Sequence, residues 1–255
     1  RIEQPGVYDV YTFSATAGQK VFFDVQTVSN FTGIGWSLLD AFDTVIASNG
    51  YFYDSDVITL LDGGAYKLIV DGNGDNTGTY RFKLWNVPPP NQFAINIGDT
   101  INVDIPGAGA GRIEQPGVYD VYTFSATAGQ KILFDVQGIS NLTGIAWSLL
   151  DAFDTVIASN GYFYDSDVVT LDLFSRFSNN TEVLTLANSG AYKLVIDGSG
   201  DNTGTYRFKL WNVPPPNQFA INIGDTVNVD IPGAGAGRIE QPGVYDVYTF
   251  SATAG

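Results

Sequence analysis

Two short stretches carry the side chains best equipped for chemistry. Asp71-Gly-Asn-Gly-Asp-Asn-Thr-Gly78 and its near-duplicate Asp197–Gly204 alternate oxygen-bearing residues with glycines. Hard oxygen ligands on a tightly wrapping backbone suit calcium. The candidate ligands are Asp71, Asn73, Asp75, Asp197 and Asp201. The loops depart from the EF-hand pattern, with Asn76 at the glycine position and Phe82 where a bidentate glutamate belongs. Ser199 replaces Asn73 in the second loop and is a weaker ligand. A plain hairpin loop has the same composition, because Gly, Asn and Asp all favour turns. The second stretch, Tyr51-Phe-Tyr-Asp-Ser-Asp56, recurs as Tyr162–Asp167 and puts two aspartates on one side of an extended chain. Paired carboxylates serve glycosidases. No supporting motif accompanies this pair, so a solvated strand end is the simpler reading.

Other chemistry is limited by what the chain lacks. It has no Cys, His or Met. Thiol nucleophiles, disulfides and thiolate metal sites are therefore excluded, as is the commonest general base. The chain is expected not to be an enzyme. Lacking Met, it reads as a processed product or an internal piece of a longer chain. Asn30, Asn141 and Asn179 each begin an N-x-[ST] sequon, so glycans are possible partners. Four tryptophans, Trp36, Trp85, Trp147 and Trp211, could form a sugar platform, but their alternating contexts favour a core role.

Charge narrows the partners. The 255 residues include 27 acidic and 12 basic ones, a net charge of −15. Phosphate backbones and anionic lipid surfaces require the opposite sign. No apolar run reaches the length of a membrane-spanning helix. With 44% hydrophobic residues the chain can still bury real cores.

The elements that hold these residues come in copies. Residues 1–111 and 112–237 are two versions of one unit, and the word RIEQPGVYDVYTFSATAG opens each and returns at Arg238–Gly255. Most differences are apolar swaps, such as Val21/Ile132 and Ile101/Val227, that a packed core tolerates. Short alternating stretches between turns predict about eight strands per unit and a β-sandwich. Phe93–Ile97 and Ile101–Ile105 flank Gly98-Asp99 and predict a hairpin. Triple prolines break the sheet pattern and stiffen the chain. They place linkers at 88–92 and 214–218. The domains expected are a sandwich at 1–87 without its first strands, a complete one at 93–213, and the first strands of a third at 219–255. The second copy alone carries 15 extra residues, centred on Leu171–Glu182. Its Phe174, Arg176 and Phe177 have interface composition.

INIGDTINVDI, YDVYTFSATAGQ, WSLLDAFDT and GAYKLIVDGNGDNTGTYRFKLW, taken in order, resemble the bacterial pre-peptidase C-terminal domain. Asp9, Tyr11 and Phe13, and Asp120, Tyr122 and Phe124, match its D-x-Y-x-F strand. Phe42-Asp43 and Phe153-Asp154 stand where that family usually has glycine. The resemblance implies tandem jelly-roll-like β-sandwiches, placement outside the cell or at its surface, and calcium in some members. The expectation is a structural segment of an extracellular filament that associates with itself, through a long array or strand complementation. An accessory substrate- or carbohydrate-binding module of a secreted hydrolase is the alternative.

Overall fold

The computed structural model describes residues 1–30, 32–141, 143–165 and 183–253. Phe174, Arg176, Phe177 and Asn179 lie outside the described residues. Within them the chain is all-β, with no helix.

The first copy forms β1 (Tyr8–Ala15), β2 (Lys20–Val28), β3 (Ile34–Leu39), β4 (Val45–Asn49), β5 (Ile58–Thr59), β6 (Gly64–Gly72) and β7 (Tyr80–Val87). They make two sheets, ordered β1-β6-β3-β4 and β5-β2-β7. Period-2 alternation decides which side chains enter the core. On β6, Tyr66, Leu68 and Val70 are buried while the residues between them are not. They meet Val21 and Phe23 of β2 and Trp36 and Leu38 of β3. Phe23 sits at the centre, with ring centroids 4.8 Å from Trp36 and 4.9 Å from Phe82. β1 is an edge strand, paired with β6 from Tyr8↔Asp71 to Ala15↔Gly64.

The second copy forms β8 (Asn91–Ala94), β9 (Thr100–Ile101), β10 (Arg112–Ile113), β11 (Tyr119–Ala126), β12 (Lys131–Ile139), β13 (Ile145–Leu150), β14 (Val156–Asn160), β15 (Leu184–Thr185), β16 (Gly190–Gly198) and β17 (Gly204–Val213). Its sheets are ordered β14-β13-β16-β11-β8 and β10-β17-β12-β15, with β9 also on β17. Even the irregularities repeat. Register shifts at Val25/Thr27 in β2 and at Val136/Gly138 in β12. Beyond it, β18 (Asn217–Ala220) runs parallel to β19 (Asp246–Thr249).

The hairpin expected around Gly98-Asp99 does not form. β8 lies beside β11, and β9 pairs with β17 in the other sheet. The turn is drawn away by β17: the Gly98 amide donates to the Leu210 carbonyl at 2.6 Å, and the Leu210 amide to Asp99. This segment thus crosses between sheets.

By its contacts the chain divides into two compact units. The first is Arg1–Asn91 with Ile113–Tyr119 and Asp197–Gly204, and the second is Gln92–Arg112, Asp120–Ile196 and Thr205–Gly255. Asn91 and Gln92, the last two residues of the expected 88–92 linker, are already strand.

Phe134, 1% exposed, packs against Trp147 and Phe208, whereas Phe153 is 81% exposed. Phe134→Ala is expected to cost about 3–5 kcal/mol. Phe153→Ala should cost no more than about 0.5 kcal/mol. Urea unfolding of both variants checks the difference.

Candidate functional site

The D-x-Y-x-F strand carries a hydrogen-bond cluster. Along β11 the period-2 rule points Asp120, Tyr122, Phe124 and Ala126 inward, and all four are buried. A buried carboxylate needs donors. Tyr206, on β17 of the opposite sheet, donates its hydroxyl to Asp120. The Tyr122 and Tyr206 hydroxyls are 2.8 Å apart, and the Gly111 amide donates to the Tyr122 oxygen at 2.9 Å. Burial, then the neighbouring Tyr122 and Asp120, pushes the Tyr206 phenol well above its ordinary value. Tyr122 is raised mainly by burial and then by Asp120. Both phenols therefore stay protonated donors. The cluster ties two sheets together.

The other copies hold parts of this cluster. In the first, Tyr80 donates to Asp9, and the Tyr11 and Tyr80 hydroxyls are again 2.8 Å apart. The hydrogen bond from Tyr80 holds the Asp9 carboxyl below its usual value. The cluster here is open: Tyr11 is 41% exposed, whereas Tyr122 is 0%. The cover over Tyr122 comes from Phe93, stacked at 5.1 Å, and from Gly111. After the second copy, Phe219 stacks on Tyr248 at 5.3 Å and the Gly237 amide donates to the Tyr248 oxygen at 2.9 Å. There the cover is present, and among the described residues no second tyrosine lies across from Tyr248.

A second repeated device is the Gln-Pro-Gly turn. Ile113–Tyr119 belongs by contact to the first unit, although Asp120 continues into the second. The Gln115 side-chain amide donates to the Asn86 carbonyl at 2.8 Å. Gly117 has φ +77, and a Cβ there would lie 2.9 Å from Val57 and 3.1 Å from Val87. Left-handed backbone and close approach both demand glycine. Val118 joins Phe22 and Val87 in a small core. The same contacts recur one copy later: Gln241 donates to the Asn212 carbonyl at 2.6 Å, and Gly243, φ +79, faces Val213.

The expected calcium loops are closed largely by their own amides. Asn73 donates to the Gly50 carbonyl, Asn76 to the Asn73 carbonyl, and Asn202 to the Ser199 carbonyl. Asp71, Asp75 and Asp201 are exposed. Among the described residues no three carboxylate, imidazole or thiol side chains converge to hold a metal. The loops thus do not fit a cage of side-chain carboxylates. Asp197 is exposed by surface area yet closely surrounded by protein, and desolvation pushes its carboxyl up to about 6.

The remaining candidates have structural employment. Asp54 accepts the Val25 amide at 2.7 Å and Asp165 accepts the Val136 amide at 2.5 Å, each bracing the bulge of a neighbouring strand. Burial raises the Asp54 carboxyl. Asn30, half-buried, accepts the Gly33 amide and donates to Asn76, using the nitrogen a glycan would take. Asn141 is also half-buried. Trp36 and Trp147 are buried and donate to the Tyr53 and Tyr164 carbonyls. Trp85 and Trp211 donate to Asp24 and Asp135, with Lys83 and Lys209 over their rings.

No family model and no curated protein matches the chain. Among solved structures, it is similar to the pre-peptidase C-terminal domain of a collagenase from Bacillus anthracis. Identity is 20%, with 48% of this chain and 97% of that one covered and a TM-score of 0.32. It is also similar to the CUB1-EGF-CUB2 segment of human MASP-1/3, at 8% identity, 81% and 95% coverage and a TM-score of 0.26.

Two outcomes follow from the electrostatics. Tyr206→Phe takes a donor from a buried carboxylate and is expected to cost about 1–3 kcal/mol, more than Tyr80→Phe beside the partly open Asp9. Equilibrium unfolding of the two variants checks this. Asp197, with its pKa raised from 3.8 to about 6, favours folding most when protonated, so its contribution is full below the lower value and lost as pH rises through the higher. Asp197→Asn should therefore gain melting temperature over the parent as pH climbs from about 4 to about 6, and hold a constant gain above.

Proposed function

We propose that the chain is a structural segment of an extracellular filament built from repeated β-sandwich units. The observation that carries this reading is the Gln-Pro-Gly turn. Twice, identical residues leave one copy's proline stretch, dock back onto that copy through a glutamine amide and a fitted glycine, and run on as the first long strand of the next. A junction repeated residue for residue is the natural unit of an array. The triple prolines support it, since such stretches act as semi-rigid spacers of ~3.1 Å per residue. Placement outside the cell rests on the resemblance to a domain of secreted proteins. The tryptophans, engaged with backbone carbonyls, aspartates and lysines, do not favour the carbohydrate-binding alternative. Electron microscopy of the native material tests the reading. Thin filaments with a regular axial beading are expected. Discrete, unconnected particles at high concentration would overturn it.

A further inference from the structure

Asn160 holds a side-chain nitrogen that nothing meets. The residue ends β14, paired opposite Trp147, and its Oδ1 accepts the Tyr162 amide at 3.1 Å. That bond decides which end of the side-chain amide is oxygen. Nδ2 is buried and meets no acceptor, alone among the buried side-chain nitrogens and oxygens of the described residues. Buried donors are almost always paired. The next residue is Gly161, which is exposed and would have no atom within 4 Å of an added Cβ.

We infer that Asn160 is a self-modification site, where the Gly161 nitrogen displaces the side-chain amide and water converts the residue to aspartate or isoaspartate. The Gly161 nitrogen gives its proton to solvent and bonds to Asn160 Cγ. The Cγ–Nδ2 bond breaks, and Nδ2 leaves as ammonia with one proton taken from solvent. The cyclic imide that remains takes up one water. Opening at the side-chain carbonyl gives aspartate, and opening at the main-chain carbonyl gives isoaspartate. Three features of the fold favour the step. The Tyr162 amide polarises the carbonyl and stands where negative charge develops on Oδ1. To depart, Nδ2 must give up its amide conjugation, which an acceptor on its hydrogens would resist, and no acceptor is there. Glycine has no Cβ to hinder the attack.

The chain supplies its own controls. Trp36–Val57 and Trp147–Val168 are identical, so Asn49-Gly50 has the same local sequence as Asn160-Gly161. Asn49 accepts the Tyr51 amide at 3.0 Å in the same way, but its nitrogen is not sealed without a partner. The Gly50 carbonyl also accepts the Asn73 side-chain amide at 2.7 Å, which ties down the residue that would attack. The second copy has Ser199 in place of Asn73, with no amide to donate. The third pair, Asn73-Gly74, spends its own leaving nitrogen on that bond. The conversion has a consequence for the sheet. Among the described residues β14 is an edge strand, its five residues carry no charge, and Val156 and Ile157 are exposed. A carboxylate at position 160 supplies the charge by which edge strands resist unwanted pairing.

Peptide mass mapping of the whole folded chain, held in mildly alkaline buffer and sampled over time, tests the site. Peptides that run on into Ile58 or Val169 distinguish the two copies. Asn160 should convert about 2–10-fold faster than Asn49, the factor that one net hydrogen bond on the leaving nitrogen is worth. Asn73 should convert more slowly than Asn160. In concentrated urea Asn49 and Asn160 should convert at one rate, because only the fold separates them. Asn160 converting no faster than Asn49 in the folded chain, or keeping its amide over the time in which the unfolded chain loses it, overturns the site. A difference between the copies that persists in urea overturns its structural cause.

Discussion

A carboxylate sealed from water must be met by donors, and that requirement organises this molecule. Asp120 is 0% exposed and reaches its donor, Tyr206, across 86 residues and from one sheet to the other. The bond fixes the two layers against each other at one end of the sandwich. The amide that completes the cluster belongs to Gly111, at the close of a segment that has itself crossed between the sheets. Removing water from the site makes each of these hydrogen bonds stronger and each missing one more costly. The segment before β11 is therefore an integral wall of the sandwich and not a leader to it.

The three copies show what each part contributes. With cover and cross-sheet tyrosine both present, the cluster is closed. With the tyrosine but no cover, as around Asp9, it forms the same hydroxyl contact but stays open to solvent. With the cover but no tyrosine, as around Asp246, Tyr248 turns its own hydroxyl onto the aspartate at 3.0 Å. The second and third of these arrangements each hold a different half of the closed cluster. The contacts of the Gln-Pro-Gly turn belong to one unit while the strand it leads into belongs to the next.

Much of this was legible in the sequence, because period-2 alternation and triple prolines are local signals. The all-β fold and most of its strands follow from them. Phe42-Asp43 shows how a departure is absorbed. Asp43 adopts φ +62, the left-handed region where glycine is usual and aspartate is tolerated. The Asp40 side chain accepts the Phe42 and Thr44 amides to hold the turn. The hairpin at Gly98-Asp99 was misread because its flanks look alike locally, while the deciding partner, Leu210, lies more than a hundred residues on. The cluster was hidden for the same reason: Asp-x-Tyr reads as a strand pattern until Tyr206 is placed opposite it. In DGNGDNTG the Asn73 and Asn76 side chains donate through their nitrogens to the Gly50 and Asn73 carbonyls, contacts that local sequence does not announce.

The Asn-Gln-Phe to Gly-Arg segment closes the buried cluster on the strand it covers, and that closure is what separates β11 from β1. Hydrogen exchange tests it directly, because β1 and β11 have the same eight residues and differ in that cover alone. Peptides that run on into Val21-Phe22 or Ile132-Leu133 tell the two apart. The amides of β11 should exchange slowly and the outward amides of β1 quickly. Equal protection of the two strands would contradict it.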